Sequence, residues 1–171
     1  MALADSASET TVVTKVTFEA SAARAWDTLM FYEEVAAKPP LHLRLLLPVP
    51  LRTEGAKERV GDEALCLYQT GSLIKRVTDV EPRRRYCFAV VKQDLDVGGG
   101  MRLSGGSYAL TELPGGRTEV EAVTRYRSPR RPRWLWTRVE AVVCHLFHRH
   151  ILREMRRHAE APRALKDEAP T

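Results

Sequence analysis

The hydrophobic and polar positions of this chain predict six β-strands. The first, TVVTKVTFEA at 11–20, alternates with a period of two and is rich in β-branched residues. The other five lie at 63–69, 72–81, 84–93, 101–113 and 118–128, separated by turn segments such as Thr70-Gly71 and PGGR. Short turns join consecutive strands as antiparallel neighbours. We therefore predict a curved antiparallel sheet of about six strands.

Helical spacing of the apolar residues appears in two places. Ser21 is a suitable N-cap for a helix from 22 to about 34, which must end before Pro39 and Pro40. After residue 128 the helical spacing returns and continues to 158. Helices kept apart from a run of antiparallel strands indicate an α+β fold. The segment 39–51 holds four prolines and is too apolar for a free linker, so we expect it to pack against the domain.

Length and composition are those of one globular domain. We expect a domain at 10–158, a mobile tail at 1–9 and a disordered tail at 159–171. The longest apolar stretch, 43–51, contains Arg44 and two prolines and is far shorter than the roughly 20 residues of a membrane span. The first residues do not resemble a secretory signal, and the three cysteines are widely spaced and form no CxxC pair. These features favour a cytoplasmic protein without disulfide bonds.

The positive charge is concentrated near the C-terminal helix. Nine arginines lie between Arg127 and Arg157, against two acids, Glu140 and Glu154, while the whole chain has a net charge of +5. A solvated helix face is one interpretation. An anionic membrane surface or an acidic protein are the alternative partners, and nothing indicates specific nucleic-acid binding.

The stretch CHLFHRHILREMRRH at 144–158 raises the question of a metal site. On a helical wheel we predict that an apolar arc faces the sheet, and that Cys144, His145 and His148 lie on the opposite half. The members of the arc are Leu135, Val139, Val142, Val143, Leu146, Phe147 and His150. Two ligands from one helix are too few for zinc, so we expect no metal and no other cofactor.

The same wheel places Trp134, Leu152 and Met155 on the side of the helix away from the sheet, near Trp136. An apolar patch beside arginines would suggest a homodimer or docking on an anionic membrane.

Several segments resemble the START-like, or SRPBCC, superfamily, and within it the polyketide cyclase/dehydrase-like members. They are FYEEV followed by KPP after the first helix, GGSYAL followed by the TELPGGRTEV hairpin, and the long terminal helix. The resemblance covers residues 10–158. It implies a helix-grip fold, in which the sheet wraps around the C-terminal helix and a cavity lies between them. The superfamily has no shared catalytic motif, so the resemblance does not assign an activity.

Aromatic residues on the strands and one histidine are the candidate ligand contacts in such a cavity. Each tyrosine presents an apolar ring and one hydroxyl, and His150 lies inside the apolar arc. The set is Tyr68, Tyr86, Phe88, Tyr108, Tyr126, Phe147 and His150. The alternative is that the tyrosines are core residues and that His150 is a buried histidine hydrogen-bonded to a strand carbonyl or a tyrosine.

The sequence gives weaker evidence for a catalytic site than for a ligand-binding site. No GxSxG motif is present, and GGGMRLSGG at 98–106 leads into a strand, unlike a dinucleotide fingerprint. Gly105 and Gly106 are expected to mark a bulge or a close backbone approach. Glu33 and Glu34 are expected on the surface. We assign no catalytic residues.

The leading hypothesis is a noncatalytic carrier of a hydrophobic or amphipathic small molecule. The alternative is a cyclase, dehydratase or hydrolase that uses His150 and a tyrosine for proton transfer on a polyketide-like or aromatic substrate.

Overall fold

The structure is a computed structural model that describes residues 8–31 and 50–162. Three predictions fall wholly or partly outside the described residues: the continuation of the first helix from 32 to about 34, the surface position of Glu33 and Glu34, and the segment 39–51 before Pro50. The prediction that 39–51 packs against the domain therefore stays a prediction.

One antiparallel sheet contains every strand of the described part of the chain. Its neighbours follow the order β1-β7-β6-β5-β4-β3-β2. The strands are β1 (Thr10–Phe18), β2 (Pro50–Gly55), β3 (Glu63–Tyr68), β4 (Gly71–Glu81), β5 (Arg85–Asp94), β6 (Arg102–Leu113) and β7 (Arg117–Arg127). Helix α1 (Ala22–Phe31) follows β1, and helix α2 (Arg133–Glu160) follows β7. The predicted α+β helix-grip fold, with a short helix after the first strand and a long C-terminal helix, is confirmed.

The sheet has seven strands where about six were predicted. The additional strand, β2, is the sequence PLRTEG at the sheet edge, where it pairs with β3 only. The alternation of apolar and polar residues did not predict this strand, because it is short and begins with proline. An edge strand accepts proline at its first position, because one side of the strand makes no ladder hydrogen bonds.

The predicted turn at Thr70-Gly71 shows why glycine is required there. Gly71 has φ +152°, and a Cβ on it would lie 2.0 Å from the carbonyl oxygen of Asp94. Any side chain at this position would therefore collide with the backbone of β5.

The main core lies between the sheet and the two helices. It includes Phe18, Val120, Leu152 and Met155, all fully buried, and Leu29 of α1. A second, smaller cluster contains Cys66, Leu73, Leu95 and Val97. Helix α2 packs mainly against β1, α1 and β7.

Helix α2 faces the sheet with a different side from the one predicted. Its buried residues are Glu140, His148, Ile151, Leu152, Met155 and Ala159. The assignment of His148 to the outer half was wrong, and so was the placement of Leu152 and Met155 away from the sheet. Of the outer patch, Trp134 is exposed as expected, at 67%.

Most of the apolar arc assigned to the sheet side faces solvent instead. Leu135, Val139, Val142 and Leu146 are all exposed, whereas Phe147 packs against the main core. The wheel failed because the inner side of the helix's first half is polar: Glu140, Cys144 and His148 find partners on the sheet and its exit loop. Hydrophobicity therefore does not mark the buried side there.

The helix ends at Glu160, and Ala159 is buried. No helix in the described ranges is long and apolar enough to cross a membrane. The cytoplasmic location stays a prediction.

Candidate ligand-binding site

Aromatic side chains gather on the inner face of the sheet, at β5 and β6. Tyr86 stands opposite Tyr108 in the strand register, and Phe88 stands opposite Gly106. The rings of Tyr86 and Phe88 have centroids 6.3 Å apart and planes tilted by 41°. Phe88 and Tyr108 pack against the main core but keep part of their surface exposed. Three of the predicted ligand contacts are therefore close neighbours.

Gly106 leaves the space that the Phe88 ring occupies. A Cβ at this position would lie 2.9 Å from Cζ of Phe88 and 2.5 Å from the carbonyl oxygen of Val123. The ladder between β6 and β7 shifts register between Leu103 and Gly105, and Gly105 has φ +154°. The predicted bulge and close approach at these glycines are confirmed.

A lysine shares this inner face. Lys75 lies between Leu73 and Val77 on β4, and both of these neighbours on its side of the strand are 2% exposed. Its Nζ lies 5.0 Å from the centroid of the Phe88 ring. Lys75 itself is half-buried. An ammonium group over an aromatic ring is electrostatically favourable, so the ring helps to hold the charge at the inner face.

Sequence reasoning missed Lys75, although a signal was present. In SLIKRVTDVE, Leu73, Lys75 and Val77 occupy alternate positions, so they share one face of the strand. Because two of the three are apolar, that face is the buried one. Alternation alone could have placed the lysine inside the protein.

The other predicted contacts lie in three different surroundings. Phe147 of α2 packs against the main core, as Tyr86, Phe88 and Tyr108 do. Tyr68 packs against the second cluster. Tyr126 is 1% exposed, and its hydroxyl makes no hydrogen bond of normal geometry within the described residues.

His150 is half-buried on α2. Its Nε2 atom is buried and has no hydrogen-bond partner among the described residues. The alternative of a core histidine held by a strand carbonyl or a tyrosine therefore has no support at this atom. An unpaired buried nitrogen is a suitable contact for a ligand or a water molecule.

A hydrogen-bonded network joins α2 to β1 and β7. The Thr14 hydroxyl lies 2.9 Å from His148 Nδ1 and 2.8 Å from His145 Nδ1, and the Thr124 hydroxyl lies 2.8 Å from His148 Nε2. A hydroxyl has one proton to donate. Thr14 therefore cannot donate to both histidines, and at least one of them donates its Nδ1 proton to the hydroxyl oxygen.

Burial sets the protonation states in this network. It lowers the pKa of His148 to about 4, and the nearby His145 contributes in the same direction. It also raises the pKa of the Cys144 thiol to about 11. At neutral pH both side chains are uncharged, so Cys144 is not a thiolate nucleophile.

The start of α2 is held by a buried carboxylate. Glu140 is 6% exposed, accepts a hydrogen bond from Ser128 Oγ at 2.5 Å, and forms an ion pair with Arg133 at 3.1 Å. Arg133 also donates to Thr10 Oγ1 at 3.3 Å. The pKa of Tyr126 lies far above its ordinary value. Burial is the largest cause, and the negative charge of Glu140 is the second. These contacts fix the helix on β1 and on the loop after β7, which is a structural role.

The described residues contain no group of three or more histidine, cysteine or acidic side chains that could hold a metal ion. Cys144 Sγ lies 3.7 Å from His148 Nε2, but Thr14 and Thr124 hydrogen-bond both nitrogens of that histidine. The expectation of no metal stays a prediction.

A depression of about 360 Å³ opens on the surface near the β5–β6 connection. Its lining includes Asp94, Asp96 and Arg102, and it is mainly polar. None of the predicted ligand contacts lines it.

Comparisons with known proteins agree with the fold. No protein-family model matches the chain, and no curated protein matches it. Among solved structures, protein CV1439 from Chromobacterium violaceum is 16% identical, with a TM-score of 0.60 over 89% of this chain and 98% of that one. The Zhui aromatase/cyclase from Streptomyces sp. R1128 is also 16% identical, with a TM-score of 0.59 over 90% and 98%.

A third similar structure is the Aha1 dimer from Colwellia psychrerythraea, at 12% identity and a TM-score of 0.57 over 91% of this chain and 99% of that one. Identities this low establish a shared fold and carry no activity from one protein to another.

Proposed function

We propose that this chain, which has the helix-grip fold of the START-like superfamily, binds a hydrophobic or amphipathic small molecule between the inner face of its sheet and α2. The observation that carries the proposal is Lys75, an ammonium group placed beside the Phe88 ring and between the buried Leu73 and Val77. Sites for small molecules are mostly apolar, with a few polar groups that orient the ligand.

The aromatic side chains supply the apolar part of such a site. Phe88 and Tyr108 face the interior yet remain only partly buried, so the protein's own core does not cover them completely. An apolar ligand would cover the remaining surface and gain roughly 25 cal/mol for each Å² removed from water.

Lys75 narrows the class of ligand. A carboxylate or another anionic head group near its Nζ would form a charge-assisted hydrogen bond, which is stronger than a neutral one. The ligand best matched to this face is therefore an apolar molecule with an acidic end.

An enzyme of the cyclase, dehydratase or hydrolase type is the second candidate. His150 favours it, because its Nε2 has no hydrogen-bond partner among the described residues and an imidazole could exchange a proton with a substrate. The groups with strongly shifted pKa values argue against it: His148, Cys144 and Tyr126 are each held in the neutral form, and His148 is enclosed between two threonine hydroxyls. The binding function is therefore the better supported.

Replacement of Lys75 by methionine tests the proposal. We expect a long-chain carboxylic acid to displace an apolar fluorescent dye from the native protein roughly tenfold more effectively than the alcohol of equal length, because only the carboxylate brings a negative charge to the ammonium group. Lys75→Met should abolish this preference and preserve binding of the alcohol. The measurement is a pair of competitive fluorescence titrations.

Lys92→Met is the matched control, since Lys92 lies on the neighbouring strand and is exposed. It should keep the preference for the acid. If the native protein takes up no dye, or if the two lysine variants behave alike, the proposed site is wrong.

A further inference from the structure

We propose that the outward face of α2 docks on an anionic lipid surface. The face consists of a row of aliphatic residues, Leu135, Val139, Val142 and Leu146, called here the outer stripe, and of arginines beside it. The inference rests on the exposure and charge of this face and does not depend on a ligand inside the domain.

The outer stripe is apolar and open to solvent. Leu135, Val139, Val142 and Leu146 are 42%, 43%, 58% and 40% exposed. Their spacings of four, three and four residues place them within an arc of about 60° on the helix, given 3.6 residues per turn. The row covers about three helical turns, or about 17 Å at 1.5 Å per residue. A surface helix of a monomer would normally be polar on this side.

Arginines border the outer stripe. Arg138 and Arg149 lie on one flank, and Arg153 continues the row toward the C-terminus. All three are exposed, and none of them forms an ion pair with a residue of the described ranges. The two acids of this part of the helix are engaged elsewhere: Glu140 is buried with Arg133, and Glu154 pairs with Arg157.

This combination fits a lipid surface better than a second copy of the chain. Two outer stripes packed against each other would bring these arginines of both copies together, while Glu140 and Glu154, the acids of this part of the helix, are engaged elsewhere. A lipid interface accepts such a row at shallow depth, while arginine side chains extend to the phosphate groups.

Vesicle binding by the full chain tests the proposal. We expect sedimentation with vesicles of phosphatidylcholine containing about one third phosphatidylserine, weak binding to phosphatidylcholine alone, and loss of binding as salt rises. The double change Arg138→Gln and Arg149→Gln should reduce the partition coefficient roughly 30-fold, given about 1 kcal/mol for each basic residue near an anionic surface. Leu146→Ser with Val142→Ser should also reduce it.

Two double variants serve as controls. Arg59→Gln with Lys92→Gln removes the same charge from exposed positions away from α2, and Val60→Ser with Val91→Ser removes exposed apolar residues there. Both should bind vesicles as the native chain does, and unchanged melting temperatures should show that every variant is folded.

Failure of the native chain to bind anionic vesicles at low salt would overturn the proposal. Equal losses in the α2 variants and their controls would also overturn it, because binding would then follow net charge alone. A concentration-dependent dimer in sedimentation velocity that Leu146→Ser disrupts would assign the stripe to a second copy instead.

Discussion

Truncation of Leu152 to alanine will lower the free energy of unfolding by about 3 kcal/mol, the size of loss typical for a fully buried leucine. Leu152 is 0% exposed and lies in the main core with Met155 and Phe18. Its removal would leave a cavity between α2 and the sheet, and the neighbouring side chains would lose their contacts with it. Denaturation by urea, followed by circular dichroism, measures the change.

Leu146→Ala is the matched control, since it makes the same chemical change on the same helix. Leu146 is 40% exposed, so its truncation should cost less than about 0.5 kcal/mol. Equal losses at the two positions, or a larger loss at Leu146, would mean that α2 is turned with its other side to the sheet, as the helical wheel had predicted.

Acidification from pH 6.5 to pH 4 will lower the free energy of unfolding by about 3 kcal/mol through His148 alone. Burial holds the pKa of this histidine at about 4 in the folded protein, against about 6.5 in an unfolded chain. As the pH falls, the unfolded state therefore takes up this proton at a higher pH than the folded state does. The contribution of His148 to the free energy of unfolding is present above pH 6.5 and is lost as the pH falls from 6.5 to 4. Below pH 4 the histidine is protonated in both states and causes little further loss. Urea denaturation at a series of pH values measures the slope.

His148→Asn separates this effect from other titrations. The variant should be less stable at pH 7, because Thr14 and Thr124 lose hydrogen-bond partners. Its stability should nevertheless depend less on pH between 6.5 and 4 than that of the native chain. An identical pH slope in both proteins would show that His148 does not control the loss.

The strands and the fold class could be predicted from the sequence because their signals are local. Alternation and glycine turns marked six of the seven strands, and the predicted turn at Gly71 follows from a position that no side chain can occupy. Strand β2 escaped because PLRTEG does not alternate and because an edge strand needs little hydrophobicity.

The orientation of α2 could not be read from hydrophobicity. The inner side of its first half carries Glu140, Cys144 and His148. Their hydrogen-bond partners include Thr14 and Thr124 on strands and Ser128 in the loop after β7. Such pairing depends on tertiary contacts that a helical wheel does not contain. The exposed aliphatic row then looked like the core side, although it faces solvent.

The candidate site contains residues that the sequence predicted and one, Lys75, that it did not. Tyr86 and Phe88 of β5 and Tyr108 of β6 were chosen as aromatic strand residues, and the register places them together on the inner face. Lys75 was passed over because a charged residue is usually assigned to the surface, although its alternate neighbours Leu73 and Val77 are buried. The ligand roles of the seven selected residues stay predictions.

The most direct test of ligand binding at the inner face is an NMR measurement of contacts between a bound long-chain fatty acid and protein side chains. At one equivalent of ligand, we expect nuclear Overhauser effects from the acyl protons to Phe88, Tyr108 and the methyl groups of Val90, which belong to the inner face or pack beside it. Val91 and Val13 are exposed and should show none. Contacts to the exposed valines, or no contacts at saturating fatty acid, would contradict a binding site between the sheet and α2.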